Sequence, residues 1–144
     1  MRILFSLFIF FSLTGFYAQT TVTWSDLQYG ISWKESTSEL VYPGFLEADF
    51  SNELTHLKGK EITLTGYLLV LDGSQEVFIL SKSPMASCFF CGNEGPETIS
   101  EISFAKDYNF MMDDLITVTG ILRLNRDDPT RCYYRIENAE GFGL

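Results

Sequence analysis

Ile62-Thr63-Leu64-Thr65-Gly66-Tyr67-Leu68 alternates apolar residues with threonine, and Ile116-Thr117-Val118-Thr119-Gly120-Ile121-Leu122 repeats the pattern later in the chain. A period of two residues is typical of a strand with one buried face and one wet face. In both segments a glycine stands where the alternation continues, which indicates a bulge or a sharp bend. Two strands bent in this way favour a small closed β-barrel.

Three shorter segments complete the predicted barrel. They cover residues 76–80, 98–104 and 132–136, with turn-forming sequence before the first and the last. We therefore predict a mainly β protein, with a five-stranded OB-like Greek-key barrel over residues 58–144. Between the third and fourth strands, residues 105–114 form a connector with room for one helical turn.

The first 18 residues are typical of a secretory signal peptide. Arg2 supplies the positive start, and an apolar run follows over residues 3–13. We expect cleavage after Ala18, which would place the mature protein in the periplasm or outside the cell. Because the run is too short for a membrane span, no membrane insertion is expected.

Residues 19–57 are predicted to form a short extension that packs on the barrel. Ser25 and Asp26 are residue types that cap helices, and Leu27 follows them with an apolar side chain. Trp24 stands just before this pair, in the place of a hydrophobic residue that packs onto a helix start. The extension is therefore expected to open with a short helix.

The chain is acidic, with 10 Lys and Arg against 19 Asp and Glu and a net charge of −9. Nucleic acid is not an expected partner, because binding to phosphates needs clustered Lys and Arg, and none cluster here. An acidic surface favours solubility. It leaves a protein of the cell envelope or a metal ion as the candidate partners.

The stretch Cys88-Phe89-Phe90-Cys91-Gly92 holds two of the three cysteines. Two thiols three residues apart can reach one metal ion or each other. They lie in the long loop over residues 82–97, and loops of this length in compact domains are often functional or cross-linked. Glu94 and Glu97 flank the pair and are candidates to support a bound ion.

The expected strand directions place this loop and the starts of the first and fifth barrel strands at one end of the barrel. Those positions hold Cys88, Cys91, Cys132 and His56, the single histidine of the chain. Three cysteines and one histidine suit a closed tetrahedral zinc site. We therefore predict these four residues as ligands of a zinc ion.

Two alternatives remain open at this point. A disulfide from Cys132 to Cys88 or Cys91 would staple the loop and stabilise the fold by about 3 kcal/mol. The chain would then be a metal-free module that binds a protein. A Cys88–Cys91 disulfide is of the kind used in thiol-disulfide oxidoreductases.

With one histidine and neither a G-x-S-x-G nor an H-E-x-x-H motif, we expect a non-catalytic binding module.

Several motifs along the mature chain occur together in one family. The first are a W-x-x-L start at Trp24 and Leu27, a proline-aromatic turn at Pro43 and Phe45, and an L-x-G-K strand start at Leu57, Gly59 and Lys60. A G-Y pair follows at Gly66 and Tyr67, and a strand ending in L-S at Leu80 and Ser81. The last are a C-F-F-C-G…G-P-E loop over residues 88–97 and a G-x-L-x-L-N segment at Gly120, Leu122, Leu124 and Asn125. In these motifs the chain resembles a family of secreted bacterial proteins with an uncharacterised, OB-like domain of unknown function. The resemblance implies secretion, this fold and a place in the cell envelope near transport machinery.

Overall fold

The computed structural model describes residues 20–35, 46–72 and 77–144. The strands in these ranges are β1 (Thr20–Thr21), β2 (Ile31–Glu35), β3 (Leu46–Phe50), β4 (Glu61–Asp72), β5 (Val77–Ser81), β6 (Ile99–Phe104), β7 (Leu115–Leu124) and β8 (Tyr134–Gly143). The helices are α1 (Trp24–Tyr29), α2 (Asn52–Leu57) and three single-turn 3-10 helices at Met85–Ser87, Phe89–Cys91 and Pro96–Thr98. The predicted signal peptide and its cleavage position lie outside the described residues.

Five of the strands close into a barrel. Their order is β4, β5, β6, β8 and β7, and β7 pairs back onto β4. The β6–β8 pair is parallel and the other four pairs are antiparallel. The prediction of a mainly β fold with a five-stranded barrel is confirmed. β6 and β8, the third and fifth barrel strands in chain order, are neighbours.

The remaining three strands lie outside the barrel. β1 adds to β4 as a short parallel neighbour, and β2 and β3 form a separate two-stranded sheet. The connector over residues 105–114 has a turn at 112–113 and no helix. Among the described residues, no helix has the length and apolar character needed to cross a lipid bilayer.

The long strand β4 takes part in two walls of the barrel. Residues 61–67 pair with β7, and residues 67–72 pair with β5. Threonines of β4 and β7 meet across the strands, with hydroxyl–hydroxyl distances of 3.1 Å for Thr63–Thr119 and 2.8 Å for Thr65–Thr117. The apolar residues that alternate with these threonines are buried in the barrel, as the alternation predicts; they are Ile62, Leu64, Ile116 and Val118.

The two glycines of the repeated segments differ in their effect on strand register. Gly120 lies at a shift of register between β7 and β8, so the bulge predicted there is present. Gly66 lies in unbroken pairing with β7, and it makes room for its neighbours, since an added Cβ would lie 2.5 Å from the carbonyl oxygen of Ser81 and 3.0 Å from the Trp24 ring.

The N-terminal extension shares the main core with the barrel. Within its described part, five residues are buried in that core, namely Val22, Leu27, Ile31, Ala48 and Leu54. Trp24 Nε1 donates a hydrogen bond to Thr65 O at 2.7 Å, and the buried Tyr134 Oη donates to Leu27 O at 2.8 Å. Helix α1 is therefore fixed to the barrel from both ends.

The predicted cap of α1 is wrong by two residues. Thr23 is the N-cap, with its hydroxyl accepting from Asp26 N at 3.2 Å while the Asp26 carboxylate accepts from Thr23 N at 2.8 Å. This reciprocal pair is a capping box, and it places Trp24 inside the first turn. Hydrogen bonds from the side chain and backbone of Thr23 lower the pKa of Asp26.

Candidate functional site

The loop between β5 and β6 covers part of the outer surface of the barrel. Leu69 and Ile79 follow core residues by one position, so they point away from the barrel interior. With Ile99 and the fully buried Cys88 they form a second hydrophobic cluster, distinct from the main core. Met85, Phe89 and Cys132 pack against this cluster. We call these seven residues the loop cluster.

The thiols of Cys88 and Cys91 meet at one backbone oxygen. Cys88 Sγ donates to Met85 O at 3.2 Å, and Cys91 Sγ donates to the same oxygen at 2.9 Å. The 3-10 turn over Phe89–Cys91 produces this arrangement, because the Cys91 N–H bonds to Cys88 O at 3.0 Å. Cys88 is buried and Cys91 is exposed, so the pair can be approached from the Cys91 side.

Met85 contributes a third sulfur atom, and its backbone is held by a hydrogen bond to Asp113. Its Sδ lies 4.0 Å from Cys88 Sγ. Its backbone N–H donates to Asp113 Oδ1 at 2.8 Å, and the Asp113 N–H in turn donates to Leu68 O of β4 at 2.8 Å. The turn that bears the sulfur atoms is thus tied to the barrel wall through Asp113.

Glu94 closes the other side of the loop. Its Oε1 accepts from Ser83 Oγ at 3.0 Å and lies 3.7 Å from Lys82 Nζ. Its Oε2 is buried and has no hydrogen-bond partner in the part of the chain that the structure describes. Gly92 ends the preceding turn with φ of 76°, which is a left-handed conformation that favours glycine.

Cys132 has different surroundings from the other two thiols. It precedes β8 and lies beside the ion pair in which Arg131 Nε donates to Glu101 Oε2 at 2.9 Å. Burial, and then the negative charge of Glu101, raise the pKa of the Cys132 thiol to about 11. The thiol is therefore almost entirely protonated at neutral pH.

His56 lies on α2 and is exposed. The pKa of the nearby Glu53 is lowered, chiefly by hydrogen bonds from its own backbone N–H and from Ser51, and further by His56. Within the described ranges, no three or more His, Cys, Asp or Glu side chains lie close enough together to hold one ion. The zinc site with four ligands stays a prediction.

The structure thus brings together Cys88 and Cys91, and it places Cys132 in the loop cluster with Cys88. All three cysteines are free thiols. Met85 joins the pair and was not among the predicted site residues. The spacing M-x-x-C-x-x-C was the available signal, because residues three apart meet in a tight turn.

A groove of about 820 Å³ lies beside β6 and the connector that follows it. Aromatic rings line it, with centroid distances of 4.4 Å for Phe78–Tyr108 and 5.5 Å for Phe104–Tyr108. Its charged residues include Glu101 and Arg131, which pair with each other. These rings pack in or against the main core, and the charged pair is already satisfied, so neither points to a ligand.

Comparison with solved structures gives a fold relative. A crystal structure of a DUF3299 family protein from Pseudomonas aeruginosa PAO1 matches with a TM-score of 0.55 and 17% sequence identity, covering 88% of this chain and 98% of that chain. At this identity the likeness shows the fold alone. No family model matches this chain, and no curated protein matches it. The neighbour belongs to a domain-of-unknown-function family, in keeping with the expected kind of relative. That relatives share the C-F-F-C-G…G-P-E loop, and that this chain is secreted, stay predictions.

Proposed function

We propose that the protein is a non-catalytic binding module, and that Cys88 and Cys91 hold a thiophilic metal ion such as zinc. The observation that carries this proposal is the meeting of both thiols at Met85 O. The thiolate is the form of cysteine that binds metals, so an entering ion would replace the two protons that now point at this oxygen. The buried thiol of Cys88 would give such an ion a fixed binding position, and the exposed thiol of Cys91 would give it an entry path.

The surroundings of the pair favour binding over redox catalysis. A thioredoxin-like dithiol stands at the start of an α-helix, within alternating strands and helices. Here Cys88 precedes and Cys91 ends a single 3-10 turn in a loop between two antiparallel strands. A metal-binding loop of this kind agrees with the proposed location in the periplasm or outside the cell, where an envelope protein would be its partner.

Cys132 and His56 are the proposed completing ligands of a zinc ion. Support for Cys132 comes from its packing in the loop cluster with Cys88. His56 is exposed on α2, and binding there would require α2 and the loop to approach each other. The two candidates are therefore separable by mutation.

The test is metal content after anaerobic purification, measured by elemental analysis together with intact mass under native and denaturing conditions. We expect about one equivalent of metal in the natural protein and less than about a tenth in Cys91→Ser. Cys91 is exposed, so its replacement leaves the packing intact. Cys132→Ser and His56→Ala are the matched variants, and loss of metal in either identifies it as a ligand.

Less than about a tenth of an equivalent in the natural protein would overturn the proposal, as would full metal content in Cys91→Ser. A mass two units below that of the reduced chain, without metal, would identify a disulfide. In that case the loop is stapled, and the chain is a metal-free interaction module. Turnover of a disulfide substrate would instead support the oxidoreductase.

A further inference from the structure

The thioether of Met85 lies at ligand spacing from the thiol of Cys88. Two ligands about 2.3 Å from one ion, at an angle of about 120°, are about 4 Å apart. The distance from Met85 Sδ to Cys88 Sγ is 4.0 Å. Cys91 Sγ reaches the same residue through Met85 O at 2.9 Å. Three sulfur atoms thus lie around one short turn.

We propose that the ion bound by this loop is copper(I), held by Met85 Sδ, Cys88 Sγ and Cys91 Sγ. The proposal rests on the function proposed above and assigns its ion and third ligand. It gives Met85 a role as a ligand in addition to its packing in the loop cluster.

The donor set favours copper(I) over zinc. Zinc sites use cysteine, histidine and carboxylate ligands and are almost always four-coordinate when structural. The described residues bring no three such side chains together. Thiolate ligands suit copper(I) as well as zinc, whereas a thioether suits copper(I) and is not among the ligands of zinc sites. A turn with two thiols and a thioether therefore fits the monovalent ion better.

The surroundings also fit a site that exchanges its ion. Cys88 is buried against Leu69, Ile79 and Ile99, which keeps water from one side of the ion. Cys91 is exposed on the other side, where a thiol of a partner could reach the ion. On binding, both thiols lose their protons to solvent, and the two hydrogen bonds to Met85 O are given up.

The test compares Met85→Leu with the natural protein under anaerobic, reducing conditions. Copper(I) affinity is measured by competition with bathocuproine disulfonate, and zinc affinity by competition with a chromophoric zinc chelator. Leucine keeps the apolar volume of methionine, so the loop cluster should stay packed. We expect copper(I) affinity to fall at least about tenfold, while zinc affinity changes less than about twofold because a thioether is not a zinc ligand.

Met111→Leu is the matched control, because Met111 is 74% exposed on the connector after β6, and it should leave both affinities unchanged. X-ray absorption at the copper edge should count about three sulfur neighbours in the natural protein and about two in Met85→Leu. An unchanged copper(I) affinity in Met85→Leu, or two sulfur neighbours in the natural protein, would overturn the inference. If zinc still binds through Cys91, the proposed function survives that result. If neither ion binds, both proposals fail.

Discussion

At the scale of single residues, the three thiols differ in the features that decide reactivity. Cys91 is exposed and donates to Met85 O, Cys88 is buried beneath the same turn, and Cys132 is partly buried beside Glu101. Reactivity of a thiol depends on its thiolate fraction and on access. The same residue type therefore stands in three different chemical environments within one small region.

Alkylation of Cys132 is expected to depend steeply on pH. Its pKa is raised to about 11, so its thiolate fraction rises about tenfold for each pH unit below that value. Between pH 7.5 and 9.5 the rate should rise about 100-fold, whereas a thiol with a pKa of about 8.5 gains only about tenfold over that range. Iodoacetamide labelling followed by peptide mass mapping measures the rates.

A short unstructured peptide with blocked termini and a single cysteine, whose thiol has a pKa of about 8.5, is labelled in the same tubes as the reference thiol. The ratio of rates at the two pH values does not depend on constant steric shielding, so it isolates the thiolate fraction. A gain of only about tenfold for Cys132, with a plateau near the upper pH, would contradict the effect of burial and of Glu101 on this thiol.

At the scale of elements, the alternating segments correctly located β4 and β7, but the predicted strand is shorter than β4. The predicted strand ends at Leu68, whereas β4 continues to Asp72. The continuation loses its period of two because Leu68 faces the barrel interior and Leu69 belongs to the loop cluster on the other face, so both faces are buried. Strands that are covered on both faces give no alternation to detect.

The same limit applies to the candidate site. Cys88 and Cys91 could be chosen from spacing alone, since the turn between them is local. Asp113 could not, because its bond to Met85 joins residues 28 positions apart in the sequence. The cap of α1 was missed although Thr23 and Asp26 have capping-box spacing, because Ser25 is an equally good cap by residue type.

Replacement of Gly66 by alanine is expected to lower the free energy of unfolding by about 1–3 kcal/mol. The new Cβ would lie 2.5 Å from the carbonyl oxygen of Ser81, a backbone atom of the neighbouring strand that has little freedom to move. It would also press on the Trp24 ring, which holds α1 to the barrel. Urea denaturation followed by circular dichroism measures the change.

Gly143→Ala is the control for that substitution. An added Cβ there meets only Phe110 Cε1, at an ordinary contact distance of 3.7 Å. Its effect should stay within about 0.5 kcal/mol. If the two alanine variants lose stability equally, close approach at Gly66 is not the reason for the glycine.

At the scale of the whole molecule, the residues that the structure describes form two hydrophobic clusters of unequal size. The main core joins the barrel interior to the N-terminal extension, whereas the loop cluster contains four buried residues on the outer wall. Small clusters contribute less apolar burial, so the segments above them open at lower free energy than the core. The loop can therefore open while the barrel stays folded.

Native-state hydrogen exchange should separate the two parts. The amides of Cys91 and Gly92, which bond within the loop, are expected to exchange at least about 100-fold faster than buried amides of β4 and β7. Local opening exposes little surface, so loop exchange should be nearly independent of low urea concentrations. Mass spectrometry of peptides from both regions measures the rates and their urea dependence.

Barrel peptides serve as the internal control in that measurement, because their exchange requires opening of the main core. Equal urea dependence in loop and barrel would mean that the two clusters unfold as one unit. In that case metal binding at the loop would have to be coupled to the stability of the whole barrel.

The N-terminal cover of β4 has a consequence for aggregation. On the side of β4 away from β7, Thr20 and Thr21 pair with Ile62 and Thr63, the Val22 N–H bonds to Thr63 O, and the Trp24 indole bonds to Thr65 O. A strand edge without such cover is a template on which other chains add strands. A protein that lacks the residues up to and including Trp24 would expose this edge of β4. We expect such a protein to form oligomers in which strands of different chains pair with each other.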